Sequence, residues 1–143
     1  MADTLQLPAT LDALGPIRAF VDAAASAAGL DHKASYRLRL AVDEIATNVI
    51  THGYEEAGLR GDLELQAWRN GETLTIILED DAVPFDPTTL AEPDDLGTPL
   101  EERAVGGLGV FLTVHGVDEF RYERVARRNR NIFVMHRQGA DDG

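Results

Sequence analysis

Cysteine is absent from the 143 residues of the chain. Disulfides, zinc–thiolate sites and thiol catalysis are therefore excluded. Basic residues are scarce, since 13 Lys and Arg stand against 25 Asp and Glu, which gives a formal net charge of −12 at pH 7. Because this charge would repel the phosphates of nucleic acids and of anionic membranes, we expect no direct nucleic-acid partner and no membrane partner. Any macromolecular target is expected to be a protein.

Long hydrophobic runs are also missing. No apolar run approaches the ~18 residues that span a bilayer. The first residues, Met1 to Gln6, lack the basic region and apolar core of a secretion signal, so we expect a cytoplasmic protein. The chain does contain 44% hydrophobic residues, which at this length is enough for one buried core. We therefore predict a single domain over residues 1–143.

Helical patterns occupy the first third of the chain. Pro16, directly after Gly15, suits the first turn of a helix that runs to about Ala28. Asp31 is a suitable N-cap for a second helix, which is predicted to end at Gly53. The apolar stripe of the first helix is predicted to consist of Phe20, Ala24, Ala27 and Ala28.

Alternating apolar and polar residues predict the strands. The expected segments are 4–7, 63–68, 73–78, 117–125 and 131–137. Asn70-Gly71 is a strong two-residue hairpin signal, and 127–130 is the predicted turn of the last hairpin. These elements predict an α+β fold, a two-layer sandwich with the helices on one face of a mixed, mostly antiparallel sheet of about five strands.

The second helix contains a pair of residues suited to phosphate chemistry. Glu44 and Asn48 lie four residues apart, which places a carboxylate and an amide on one flank of the helix. A carboxylate can take a proton, and an amide oxygen can bind a hard cation such as Mg²⁺. The alternative is an ordinary solvated helix face, which offers many such pairs.

Two later segments add to this pair. Asp80 begins an Asp-Asp-Ala-Val-Pro-Phe-Asp-Pro segment at the end of a predicted strand. Gly106-Gly-Leu-Gly109 opens an apolar helical stretch, where main-chain N–H groups could approach phosphates, although glycines also serve ordinary tight turns. Between the two segments the periodicity disappears, which predicts a functional loop, a flexible nucleotide lid at about 86–105.

In their order and spacing the three segments resemble the N, G1 and G2 boxes of the GHKL (histidine-kinase-like) ATP-binding fold. The resemblance runs from about Leu5 to Arg137 and is closest to the anti-sigma factor serine/threonine kinase branch. It implies a Bergerat-type fold with ATP and Mg²⁺ as cofactors. It also implies a kinase that holds a sigma factor or similar regulator in one state and phosphorylates an anti-sigma factor antagonist in the other. A homodimer is left open.

The resemblance also assigns roles to residues. Glu44 would be the general base, Asn48 the magnesium ligand, and Asp80 the acceptor for the amino group of adenine. Asp80 could instead be a turn-forming residue, and Arg103 could be a solvated arginine rather than a phosphate contact. The full set of implied nucleotide-binding residues is Asn48, Asp80, Ala82, Arg103, Gly106, Gly107, Leu108 and Gly109.

The chain departs from the family pattern at two places. Ala82 stands two residues after Asp80, where the family usually has glycine. The last strand reads Asn131-Ile-Phe-Val-Met, where many members carry a threonine near the adenine site. Two other functions therefore stay open, a non-catalytic nucleotide-binding partner switch and an interaction domain without a nucleotide site.

Overall fold

The computed structural model describes residues 2–84, 86–87 and 115–137. Of the predicted site residues, Glu44, Asn48, Asp80 and Ala82 are among them. The others lie outside the described residues, as does the predicted lid beyond residue 87; they are Arg103, Gly106, Gly107, Leu108 and Gly109.

The described strands form one five-stranded sheet. They are β1 (Ala2–Pro8), β2 (Asp62–Asn70), β3 (Thr73–Asp80), β4 (Glu119–Val125) and β5 (Arg128–His136). Their order is β1-β2-β3-β5-β4, and every neighbouring pair is antiparallel.

Two helices precede the second strand. A 3₁₀ turn at Leu11–Ala13 leads into α1 (Leu14–Ala27), and α2 spans His32–Asn48. The end of α2 continues directly into a π-helical segment, Val49–Glu55. Such segments are rare and are often found at functional sites.

The hydrophobic core lies between the helices and one face of the sheet. The helices contribute Ile17, Val21, Leu38, Val42 and Ile45, among others. The sheet contributes alternate residues, as the two-residue period of a strand requires: Leu63, Leu65, Ala67, Leu74, Ile76, Leu78, Phe133 and Met135. This arrangement confirms the predicted α+β two-layer sandwich.

The predicted apolar stripe of α1 lies on the correct face but is incomplete. Ala24 is buried, and Phe20 and Ala28 are partly buried against the core, whereas Ala27 is exposed. The other buried residues of α1 are Ile17, Val21 and Ala25. Their spacing is that of one helical face. The prediction centred the stripe on small alanines and omitted Ile17 and Val21, whose larger side chains gain more free energy from burial.

The two ends of α2 differ in how well the sequence predicts them. Asp31 is the N-cap, since its Oδ1 accepts a hydrogen bond from the Ala34 N–H at 2.7 Å. Gly53 does not end the helix, because the π-helical segment runs on to Glu55. A Cβ added at Gly53 would lie 2.9 Å from the Cβ of Ala82. Glycine is therefore needed there for close approach to the segment after β3, and not as a terminator.

Both hairpin turns fall at positions other than those predicted. Asn70 pairs with Thr73, so the first loop is Gly71-Glu72, one residue later than expected. In the second hairpin Val125 pairs with Arg128, so the loop is residues 126–127 and the three following residues already belong to β5. The turn residues Ala126 and Arg127 have φ of 51° and 67°. Neither is the glycine or asparagine that usually marks such a turn, so the sequence gives no signal for it.

Candidate active site

Buried polar side chains gather at one end of the inner sheet face. Among the described residues, the buried polar or charged ones are Asn48, Asp80, Asn129 and Asn131. Asp80 pairs with Asn129 across β3 and β5, and Asn131 pairs with Leu78 two positions along. Burying a polar group costs free energy unless it is hydrogen-bonded, so a group of them inside a core is a candidate site.

Asp80 offers one free acceptor atom. Its side chain is fully buried. Oδ1 accepts hydrogen bonds from the Ala82 N–H at 2.9 Å and from Asn129 Nδ2 at 2.8 Å. Oδ2 is buried and has no partner among the described residues. The carboxylate can therefore accept one further hydrogen bond, as the predicted contact to an amino group requires.

The pKa of Asp80 is raised. Burial is the main cause, because it penalises the charged form, and the hydrogen bonds from Asn129 and the Ala82 N–H act against it. The neighbouring charges also oppose one another, since Asp81 raises the pKa and Arg124 lowers it.

Ala82 fits its position without strain. Among the described residues, positive φ at non-glycine positions is confined to Ala126 and Arg127, so Ala82 does not need the freedom of the usual glycine. Its methyl group is buried against Gly53, with 2% of the residue exposed. Ala82 acts on the site through its main-chain N–H, which bonds to Asp80.

Glu44 and Asn48 lie on α2, which continues into the π-helical segment that contacts the residues just after the end of β3. Asn48 is 7% exposed, and its Nδ2 is buried without a partner in the described part of the chain. Glu44, one turn earlier, is half-buried. Its pKa is raised, first by burial and second by the negative charge of Asp43. A carboxylate with a raised pKa is a better proton acceptor near neutral pH.

Asp43 has a partner on the first helix. Arg18 of α1 grips its carboxylate with two bonds, Nε to Oδ1 at 2.8 Å and Nη2 to Oδ2 at 3.2 Å. Asp43 therefore forms an ion pair between the two helices and does not simply face water. The ion pair places a positive charge beside Asp43 and ties α1 to α2 next to Glu44.

Three contacts connect the helical and strand parts of the site. Tyr54, in the π-helical segment after Asn48, accepts a hydrogen bond from the Asp81 N–H at 2.9 Å and donates one to the Asp62 carbonyl at 3.1 Å. The neighbouring Gly53 packs against Ala82. The segment that follows Asn48 is thus fixed to the segment that follows Asp80.

Sequence reasoning missed three residues of this site. Tyr54 lies beyond the predicted helix end, and Asn129 lies in what was expected to be a turn. The burial of Asn131 is complete, and neither atom of its amide has a partner among the described residues. A signal for the two asparagines does exist, because they continue the alternation of Phe133 and Met135 toward the start of β5.

The described residues show no metal-binding cluster and no membrane span. In the ranges 2–84, 86–87 and 115–137 no group of three or more His, Asp or Glu side chains could hold a metal ion. No helix in these ranges is long and apolar enough to cross a membrane.

Comparison with known proteins identifies the family. Residues 7–136 match the histidine kinase-like ATPase domain. The chain is 31% identical over 111 residues to serine-protein kinase RsbW of Halalkalibacterium halodurans, covering 76% of this chain and 67% of that protein. It is 30% identical over 121 residues to serine-protein kinase RsbW of Listeria monocytogenes serovar 1/2a, covering 82% and 76%. With serine-protein kinase RsbW of Bacillus subtilis strain 168 the identity is 29% over 124 residues, covering 83% and 76%. These matches confirm the family predicted from the three sequence segments: the chain belongs to the histidine kinase-like ATPase domain family, in the branch of these serine-protein kinases.

Proposed function

We propose that the chain is an ATP-dependent serine/threonine protein kinase that acts as an anti-sigma regulatory factor and phosphorylates an anti-sigma factor antagonist. The family match over residues 7–136 and the names of the relatives support this function. The structural observation that carries it is the buried Asp80, whose Oδ2 has no partner among the described residues.

The buried polar residues at one end of the inner sheet face, Asp80 and Asn131, would recognise the base of the nucleotide. A buried carboxylate with one free oxygen suits a ligand with a hydrogen-bond donor and no negative charge near it. The exocyclic amino group of adenine meets both conditions. Asn131 lies on the same inner face, and its carboxamide adds one donor and one acceptor that a base edge can pair with.

Binding of magnesium and of the triphosphate is the role of α2 and of the glycine-rich segment, residues 106–109. The Asn48 carboxamide can supply a hard oxygen ligand, and the other ligands would come from phosphate oxygens and water, as is usual for Mg²⁺. When bound, the ion offsets phosphate charge that the −12 net charge of the chain would otherwise repel. The main chain of Gly106, Gly107, Leu108 and Gly109 and the side chain of Arg103 are the proposed phosphate contacts.

Glu44 is the proposed general base. It would accept the proton of the attacking serine hydroxyl as the oxygen approaches the terminal phosphate. Its half-buried position and raised pKa favour this role. Phosphoryl transfer depends mostly on positioning and charge, so the demand on this base is modest.

The proposed partners are proteins. A sigma factor or similar regulator would be held in one state, and the antagonist would be the phosphate acceptor in the other. We propose a cytoplasmic location, where both partners would be found. A homodimer would be compatible with this function.

Phosphate transfer to a candidate antagonist tests the proposal. The protein is incubated with Mg-ATP and the antagonist, and phosphoserine is mapped by mass spectrometry. In Glu44→Gln we expect ATP binding to persist while transfer falls roughly 10²-fold or more, because the amide cannot accept the proton. Wild-type transfer should decline as pH falls through the raised pKa of Glu44, and the variant should lack this decline. Glu72→Gln, in the exposed turn between β2 and β3, is the matched control.

The alternatives give different results in the same assay. A protein that binds ATP but transfers no phosphate would be a non-catalytic partner switch. A protein that Mg-ATP does not stabilise against heat would be an interaction domain without a nucleotide site. Wild-type transfer rates in Glu44→Gln would remove Glu44 from the mechanism.

A further inference from the structure

We propose that Asn129 is a positioning residue for base recognition. Its carboxamide, fixed by Tyr122 and Arg124, holds the Asp80 carboxylate so that only Oδ2 is presented to the nucleotide, and this sets the preference for a 6-amino over a 6-oxo purine. The inference rests on the proposed function, because it requires a purine nucleotide at Asp80.

The neighbours of Asn129 determine which way its amide points. Oδ1 accepts hydrogen bonds from the Arg124 guanidinium at 3.0 Å and from the Tyr122 hydroxyl. A guanidinium can only donate, so the oxygen of the amide must face it. A flipped amide would place its NH₂ against the guanidinium, donor against donor. The amide therefore has one favourable orientation.

The nitrogen of the amide faces acceptors only. Nδ2 donates to Asp80 Oδ1 at 2.8 Å and to the Val83 carbonyl at 3.0 Å. The Ala82 carbonyl lies 3.3 Å from the same nitrogen. Asn129 thus joins the end of β3, the segment after it and β4 at a single buried point.

This orientation fixes the chemistry of Asp80. Two donors, Asn129 Nδ2 and the Ala82 N–H, occupy Oδ1 and favour the ionised carboxylate. An ionised carboxylate only accepts hydrogen bonds, so Oδ2 can pair with the amino group of adenine. The carbonyl oxygen of a 6-oxo purine would instead be repelled. The same asparagine would therefore support both affinity and base choice.

The charge state of Asp80 depends on several groups around it. Among the described residues that act on it, Asp81 follows it on the chain, Arg124 belongs to β4, and Tyr54 belongs to the π-helical segment. Burial raises the pKa of Asp80, while the Asn129 hydrogen bond and the Arg124 charge lower it. Loss of Asn129 should raise this pKa further, so ATP binding should weaken at a higher pH than in the wild type.

The experiment compares ATP with inosine triphosphate, which carries a 6-oxo base. Both affinities are measured by calorimetry between pH 5 and pH 9 with wild type, Asn129→Leu, Arg124→Gln and the control Arg121→Gln. Leucine resembles asparagine in size but cannot hydrogen-bond. Arg121 lies three residues before Arg124 on β4, where the alternation of a strand directs it to the opposite face.

We expect the ATP affinity of Asn129→Leu at pH 7 to fall roughly tenfold, the effect of losing one hydrogen bond to a charged group. The affinity for inosine triphosphate should fall less, so the ratio of the two affinities becomes smaller. The pH at which ATP binding is half lost should be higher than in the wild type. Arg124→Gln should change the affinity ratio and the pH midpoint of ATP binding in the same directions, but by smaller amounts. Arg121→Gln should match the wild type.

Other results would overturn the inference. An equal loss of affinity for both nucleotides, with the wild-type pH midpoint, would show that Asn129 only supports the fold. If Asn129→Leu does not fold, Arg124→Gln and Tyr122→Phe decide, and wild-type nucleotide preference in both rejects the inference. If the wild-type protein binds no ATP, both the proposed function and this inference are rejected. If it binds ATP and every variant keeps the wild-type preference for ATP, only this inference is rejected.

Discussion

The hairpins β2–β3 and β4–β5 share a geometry but differ in chemistry. Each closes through a two-residue turn, and each turns one face toward the helices. The inward residues of β2 and most of β3 are aliphatic, such as Leu65 and Ile76. Those at the start of β5 are amides, Asn129 and Asn131. The first hairpin therefore supplies mostly core and one site residue, Asp80, whereas the second adds two buried amides to its core residues Phe133 and Met135.

The two regions differ in whether their buried side chains keep polar atoms without a hydrogen-bond partner. β3 takes part in both regions, because Ile76 lies in the core and Asp80, four residues later, lies in the site. Burial alone does not distinguish them, since both are fully buried. The difference lies in free hydrogen-bonding capacity, which the apolar part lacks and which Asp80 and Asn131 retain. Substitutions should thus affect stability in one region and binding in the other.

The largest expected effect is on stability. Ile76→Ala should lower the free energy of unfolding by about 3 kcal/mol, because it removes buried methyl groups and leaves a cavity. Urea denaturation of the variant and the wild type measures this loss of unfolding free energy. Ile77→Ala, which truncates the next residue on the opposite face of β3, is the matched control and should cost less, since Ile77 belongs to a small cluster with Ile132 and Val134. Equal losses on both faces would contradict the assignment of the core to the helix side.

Next in size is an effect on binding. Asn48→Ala should weaken Mg-ATP binding by about tenfold or more, because the ion loses its proposed protein ligand. Stability should stay close to that of the wild type, since the amide nitrogen of Asn48 has no partner in the described part of the chain. Calorimetry with and without Mg²⁺ provides the measurement. Unchanged Mg-ATP affinity in the folded variant would exclude Asn48 as the ligand.

Much of this arrangement follows from local sequence patterns. Helical spacing places Glu44 and Asn48 on one flank, and the end of an alternating run places Asp80 at a strand end. These inferences need only the chain itself and the period of each element. The predicted placement of these residues on a helix or at a strand end is confirmed, because a single element determines it, and their roles stay predictions.

The end of the second helix and the start of β5 depend on information that the usual cap and turn signals lack. The position of Asn129 in β5 follows from a turn formed by Ala126 and Arg127 at positive φ, which ordinary turn signals do not reveal. Tyr54 joins the site because the helix continues beyond Gly53, whose small size serves packing against Ala82. At Gly53 a tertiary contact overrides the local preference, and a single sequence does not contain that contact. For Asn129 the alternation with Phe133 and Met135 is the local signal, and the residues of the turn do not add to it.

A smaller effect is expected at Asn131. Asn131→Leu removes a buried amide that has no described partner, so the free energy of unfolding should stay the same or rise. ATP affinity should fall several-fold if the amide contacts the base, by the usual contribution of about 1 kcal/mol for a neutral hydrogen bond. Thermal melts and calorimetry on the same sample separate the two effects. A large loss of stability would place Asn131 with the core residues and contradict the division of the two hairpins.

The smallest expected change in stability comes from the backbone conformation of the two hairpin turns. Gly71 turns the first hairpin at φ 61°, a conformation that glycine adopts without cost, whereas Arg127 holds φ 67° in the second despite its side chain. Arg127→Gly should therefore stabilise the protein by about 0.5 kcal/mol, the relief of left-handed strain less the added entropy of glycine in the unfolded chain. Gly71→Ala should destabilise it by about 1 kcal/mol for the opposite reason. Both values come from denaturant midpoints at constant slope. If Arg127→Gly instead weakens the protein, the Arg127 side chain makes a stabilising contact that outweighs its backbone strain, and the second turn is held by more than its two strands.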